Sequence, residues 1–156
     1  DAGAEGFPDE LTALADAAQA GRPVAEVEAA FAAVLAKIDA ARVKAGASEA
    51  EEAQAIVAIL RKAAEDYAES VKDGSLAGPG EYQEAWGLAE VARGLAARMA
   101  AEEDTAERAF GEKTLAALDA VRAALPEVAP QAAPAGDASA LFAAAATAEL
   151  AAYRLK

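Results

Sequence analysis

The 156-residue chain carries 27 acidic and 14 basic side chains, a net charge of −13, and has neither histidine nor cysteine. Such an excess of anions argues against nucleic acid and anionic membrane surfaces as partners, because phosphates call for basic counterparts. The missing residue types exclude disulfides, zinc fingers, thiol nucleophiles and imidazole chemistry, so any bound metal must be held by oxygen.

Hydrophobic residues make up 55% of the chain and many are alanine, which favours helix but buries little area per residue. Phe7-Pro8 followed by Leu11 and Leu14 predicts a first helix over 8–20. Pro23 then opens a second, over 23–45, with Val24, Val27, Phe31, Val34 and Ile38 at three-four spacing and Gly46 as its stop. Ser48 and Glu51 have capping-box spacing and start a third helix over 48–73, with Ile56, Ile59, Leu60, Ala63, Tyr67 and Val71 on one face. The link 74–80 holds three glycines and a proline and reads as a turn. A fourth helix over 80–102 carries Leu88, Val91, Leu95 and Met99. A fifth, over 104–125, opens on Asp104 and Glu107 and is stopped by Pro126. The proline-rich segment 126–136 reads as a crossover without regular structure, and Asp137 or Ser139 caps a last helix over 138–155.

The pattern predicts an all-α protein, a single domain over 1–156. Its architecture is an up-down-up-down four-helix bundle made of helices two to five, with additional N- and C-terminal helices packed outside. There is no alternating strand pattern, no apolar run long enough to span a bilayer and no secretory segment. The chain opens at Asp1 without methionine, as a processed product would.

Chemistry concentrates around the third–fourth turn, which has two of the three tyrosines and the only tryptophan nearby. Extending the Leu88–Met99 stripe backwards in three-four steps reaches Glu84 and Glu81. Across the turn the third helix ends in Tyr67 and Val71. Glu81, Glu84 and the Tyr67 hydroxyl are therefore expected to converge at one pole of the bundle, with Glu28 and Asp119 on the flanks. Carboxylates gathered in a low-dielectric site repel until a cation neutralises them. An oxygen-only set suits iron(III), manganese, calcium or magnesium better than copper(I) or zinc. The competing reading is that Glu81 and Glu84 only complement the helix dipole from a first turn. Asp66, Glu69 and Asp73 form a second acidic stripe, a solvated face or a cation-attracting rim. Tyr82 and Trp86, four apart, either pack under a terminal helix or offer an aromatic patch to a partner. The acidic runs at 49–52 and 102–107 fall at helix starts, where capping explains them. Phosphate loops, nucleophile elbows and catalytic carboxylate pairs are missing, so no enzyme is expected.

Asp66-Tyr67, Val71, Gly74 and then Glu81-Tyr82-x-Glu84 together resemble the extracytoplasmic N-terminal domain of bacterial high-affinity iron permeases, the oxidase-dependent iron transporter family. That domain reads Asp-Tyr-x-x-x-Val-x-x-Gly, a short link, then Glu-Tyr-x-Glu. Ala85 and Leu88 stand where members often have Met and Phe, and the Arg-Glu-x-x-Glu motif of the permease membrane helices is absent along with those helices. The resemblance implies a periplasmic role in iron uptake. The domain would bind or relay iron, or another hard cation, through Glu81, Glu84, Tyr67, Asp66 and Asp73 to a membrane iron permease. The alternative is an acidic docking domain that meets a periplasmic iron- or copper-binding protein through Tyr82, Trp86 and Glu69 without holding metal itself. Transport across the bilayer cannot reside in this chain.

Overall fold

The computed structural model describes residues 7–72, 75–130 and 137–155. The chain divides into two compact units, one ending at Ala47 and one beginning at Ser48. The first is a helical hairpin of α1 (Pro8–Gln19) and α2 (Val24–Ala45). Lys37 of α2 reaches Glu10 of α1 at 3.1 Å, and Val34 is buried between the helices. Gly46 ends α2 in the left-handed region, φ 60°, where its N–H donates to the Arg42 carbonyl at 3.2 Å.

The second unit is the four-helix bundle: α3 (Glu49–Ser70), α4 (Pro79–Ala100), α5 (Thr105–Ala120) and α6 (Ser139–Ala152). Each of these packs on its sequence neighbours, and α6 closes the ring on α3. The helices lie within a few residues of the predicted boundaries. The membership is shifted by one, because the bundle uses helices three to six rather than two to five. The last helix is therefore a core member and not an outer addition. Its interior face is Leu141, Ala144, Ala145, Ala148, Ala151 and Ala152, all buried.

Capping fixes the starts of α3 and α5. Glu51 N–H donates to Ser48 Oγ while Ser48 N–H donates to Glu51 Oε2 at 2.8 Å, the reciprocal box expected from the spacing. Asp104 Oδ1 accepts from Ala106 N–H at 2.7 Å and Glu107 N–H at 3.2 Å. The α3–α4 link is not a plain turn. After Ser70 the chain turns extended, and β1 (Val71–Lys72) pairs antiparallel with β2 (Ser75–Leu76), Val71 opposite Leu76. The expectation of no strand fails at this two-residue ladder, where β-branched Val71 leaves the helix before Gly74 is reached. Residues 121–123 form a 3₁₀ turn after α5, and 126–130 have no regular structure, as predicted for that part of 126–136. Positions 131–136 lie outside the described residues.

Small residues set the helix spacing. The interior of α4 reads Tyr82, Ala85, Ala89, Ala92, Ala96 and Met99. Gly111 of α5 crosses directly over this surface. A β-carbon there would lie 2.3 Å from the Ala100 nitrogen and 2.5 Å from the Ala96 carbonyl oxygen. The two backbones approach as closely as the absence of a side chain permits. Phe110, Thr114 and Leu118 continue the buried face of α5.

Candidate functional site

The α3–α4 pole joins the end of α3, the start of α4, the end of α5 and the start of α6. Two aromatic rings form its interior. Tyr67 and Tyr82 are both buried, with ring centroids 6.1 Å apart and planes tilted by 50°. The Tyr82 hydroxyl donates to the Glu127 carbonyl at 2.9 Å, which ties the irregular segment after α5 to α4. Burial raises the pKa of both phenols, Tyr67 with a further push from the Asp137 carboxylate and Tyr82 from Tyr67. This is opposite to what a phenolate ligand needs.

The expected inward stripe is displaced. Glu81 and Glu84 are exposed, whereas Tyr82 and Ala85 between and beside them are buried. The stripe through Leu88, Val91 and Leu95 follows the larger residues of α4. Packing instead selects the alanines one step round, which let α3 and α5 approach closely, and leaves Val91 half exposed. Glu81 curls back over the start of its own helix, where its Oε2 would sit 2.5 Å from a β-carbon at Gly78. Glu81, Glu84 and the Tyr67 hydroxyl therefore do not share an inward-facing pocket. Among the described residues no group of three or more carboxylates is arranged to hold a metal ion. Asp73 lies outside the described residues, and Glu69 is exposed.

Asp66 departs from the expected solvated rim in the other direction. It is buried, its Oδ1 is paired with the Lys62 ammonium one turn earlier, and its Oδ2 has no hydrogen-bond partner. Asp66 raises the pKa of Lys62, and Glu84 and Glu65 add to the same field. The charged pair that the structure does bring together here is Asp66 and Lys62 of α3, with Glu84 of α4 near enough to add to the field at Lys62. Of the two residues given to a partner, Tyr82 is withdrawn from the surface by its ring packing and its bond to Glu127. Trp86 is half buried and lines a cavity of about 180 Å³ with Ala89, Arg93, Leu118, Val121 and Leu125. Arg93 closes one side of it, donating to Asp119 Oδ1 and the Leu118 carbonyl, each at 2.9 Å. Asp119 is committed there rather than at the pole, and Glu28 belongs to the other unit.

The iron permease-associated 4-helix bundle domain, as a family model, matches residues 44–153. The chain belongs to this family. The matched span takes in all of α3 to α6, so the family's bundle is the second unit, with α1 and most of α2 preceding it. No curated protein and no solved structure matches the chain. Membership places this iron permease-associated bundle in the context of a membrane permease for iron. Among its own described residues no helix is long and apolar enough to cross a membrane.

The opposite pole of the bundle holds a feature the sequence reading missed. Glu107 of α5 is buried, and its pKa is raised to about 7 by a hydrogen bond with the Glu49 carboxyl of α3, by burial, and by the charges of Glu49, Glu102 and Asp104. Each acidic run looked like an isolated helix start. The signal was the topology itself, because in an up-down-up-down bundle two helices separated by one begin at the same pole.

Proposed function

We propose that this domain serves iron uptake outside the cytoplasm, offering the carboxylates of its α3–α4 flank to iron, or another hard cation, on its way to a membrane permease. The observation that carries this reading is Asp66. A buried carboxylate with one oxygen unpartnered and the other satisfied by a single lysine is an incomplete arrangement, costly for the fold and improved by a cation. Glu84 is the nearby carboxylate that contributes to the field at Lys62. Hard cations prefer such oxygen donors. With two carboxylates and a competing ammonium, capture is loose, and a cargo ion can be released again. Glu81 and Glu69, exposed on the neighbouring surface, supply a negative field that draws cations towards the flank.

Calorimetric titration with manganese(II) and with iron(II) under anaerobic conditions tests the reading. The double variant Asp66→Asn/Glu84→Gln is expected to lose binding, and Lys62→Met to tighten it by removing the competing charge. Unchanged affinity in the double variant would overturn the relay. A second reading, docking without bound metal, draws support from the exposure of Glu69, Glu81 and Glu84. It assigns the exposed Glu69, Glu81 and Glu84 to a basic surface on a periplasmic iron- or copper-binding protein. That reading predicts salt-sensitive association that is weakened by charge reversal at these glutamates and indifferent to metal.

A further inference from the structure

The α1–α2 hairpin leaves one face of α2 uncovered. Val24, Phe31, Leu35 and Ile38 are exposed, Val24 by 71% and Phe31 by 51%, while Val34 is the one α2 residue that is fully buried. These positions are not scattered. Val24, Glu28, Phe31, Leu35, Ile38 and Arg42 follow one another at alternating spacings of four and three, the a/d seam of a coiled coil over about three heptads. A seam of this kind left in water is unfavourable, and a hairpin of this size does not bury enough apolar surface to stand alone.

The two charged members of the seam identify what covers it. Glu28 lies seven residues before Leu35 and Arg42 seven residues after it. A second copy of α2 laid parallel in register would set Glu28 against Glu28 and Arg42 against Arg42. Laid antiparallel about a dyad at Leu35, it sets Glu28 of each chain against Arg42 of the other, twice, with Phe31, Leu35 and Ile38 enclosed between them. Arg42 is half-buried and pairs with the exposed Asp39 at 3.4 Å, one residue after Ile38 of the stripe. We propose that α2 is a homodimerisation helix, pairing antiparallel with α2 of a second copy through the Val24–Phe31–Leu35–Ile38 stripe and two symmetric Glu28–Arg42 contacts. The seam precedes the bundle in the chain, so dimerisation and the α3–α4 flank are separable in experiment.

Sedimentation equilibrium of the full 156-residue chain over a range of concentrations is the test, with circular dichroism to verify that each variant stays helical. The wild type is expected to be a dimer. Leu35→Glu, which places two carboxylates face to face on the dyad, is expected to give a monomer. Glu28→Arg and Arg42→Glu each create two like-charge contacts and are expected to weaken the dimer by roughly a hundredfold, about tenfold per contact. The double variant Glu28→Arg/Arg42→Glu restores opposite charges only in the antiparallel arrangement and is expected to recover the wild-type constant. Single reversals that leave the dimer unchanged would overturn the pairing. A wild-type chain that is monomeric at all concentrations would overturn the proposal, including one that sediments with zwitterionic vesicles, which would assign the stripe to a lipid surface.

Discussion

Replacing Gly111 by alanine puts a single methyl group into the α4–α5 crossing, and its cost follows from three distances. The new β-carbon would meet Ala100 N at 2.3 Å, Ala96 O at 2.5 Å and Ala100 Cα at 2.7 Å, all of them backbone atoms that no rotamer change can remove. Ordinary contact begins at 3.4 Å. Relief therefore requires α5 to withdraw from α4 by about 1 Å, loosening Phe110 and Leu118 along with it. Overpacking of this kind costs about 3 kcal/mol at the upper end of its usual range, offset by about 1 kcal/mol of helix propensity gained over glycine. The net expectation is a loss of about 2 kcal/mol, which for a domain of this size lowers Tm by roughly 8 °C. Gly94 of α4 provides the control, since a β-carbon there meets nothing within 4 Å. Gly94→Ala is expected to raise stability by about 0.5–1 kcal/mol. Denaturant melts followed by the fluorescence of Trp86, the only tryptophan and a member of the bundle, report this unit alone. A Gly111→Ala variant as stable as the wild type would refute the close-crossing account.

Glu107 makes bundle stability depend on pH in a stated direction. Its pKa is raised in the folded state from 4.5 to about 7, so between those values the unfolded chain has lost a proton that the folded one keeps. Stability then falls as pH rises from about 4.5 to 7 and levels off above. Glu107→Gln is expected to be more stable than the wild type at pH 8 and little different at pH 4, and melts at the two values check it. Tyr82→Phe removes the donor to the Glu127 carbonyl and leaves that acceptor without its bond. A loss of about 1 kcal/mol is expected, with faster amide exchange over 127–130. Equal exchange in both proteins would show that this tether does not hold the segment.

The helices were legible because their ends are written in local chemistry. Ser48-x-x-Glu51, Asp104, Gly46 and Pro126 mark starts and stops that need no partner to be understood. The choice of bundle members was not local. An alanine-rich α6 has no strong apolar stripe to announce it, and only its packing on α3 and α5 reveals it as interior. The same weight of alanine sets the true inner face of α4 one step round from its larger residues, which leaves Glu81 and Glu84 exposed. Asp66, read as part of a solvated stripe, is buried because α3 presents a wider face to its neighbours than its large residues suggest. Tyr67 faces the interior of the pole as its stripe predicts, whereas Tyr82, expected under a terminal helix or at a partner surface, packs beside it there. Both rings come to the same pole and build it from within.

Half of the buried apolar residues described are alanines, from Ala53 through Ala152. Unfolding such an interior hydrates little hydrocarbon for each residue released. The heat-capacity increment of unfolding scales with that hydrated apolar area. A bundle built on alanine therefore has a broad, shallow stability curve, giving up peak stability near room temperature in exchange for weak dependence on temperature. Such a curve keeps the folded population nearly constant as temperature swings.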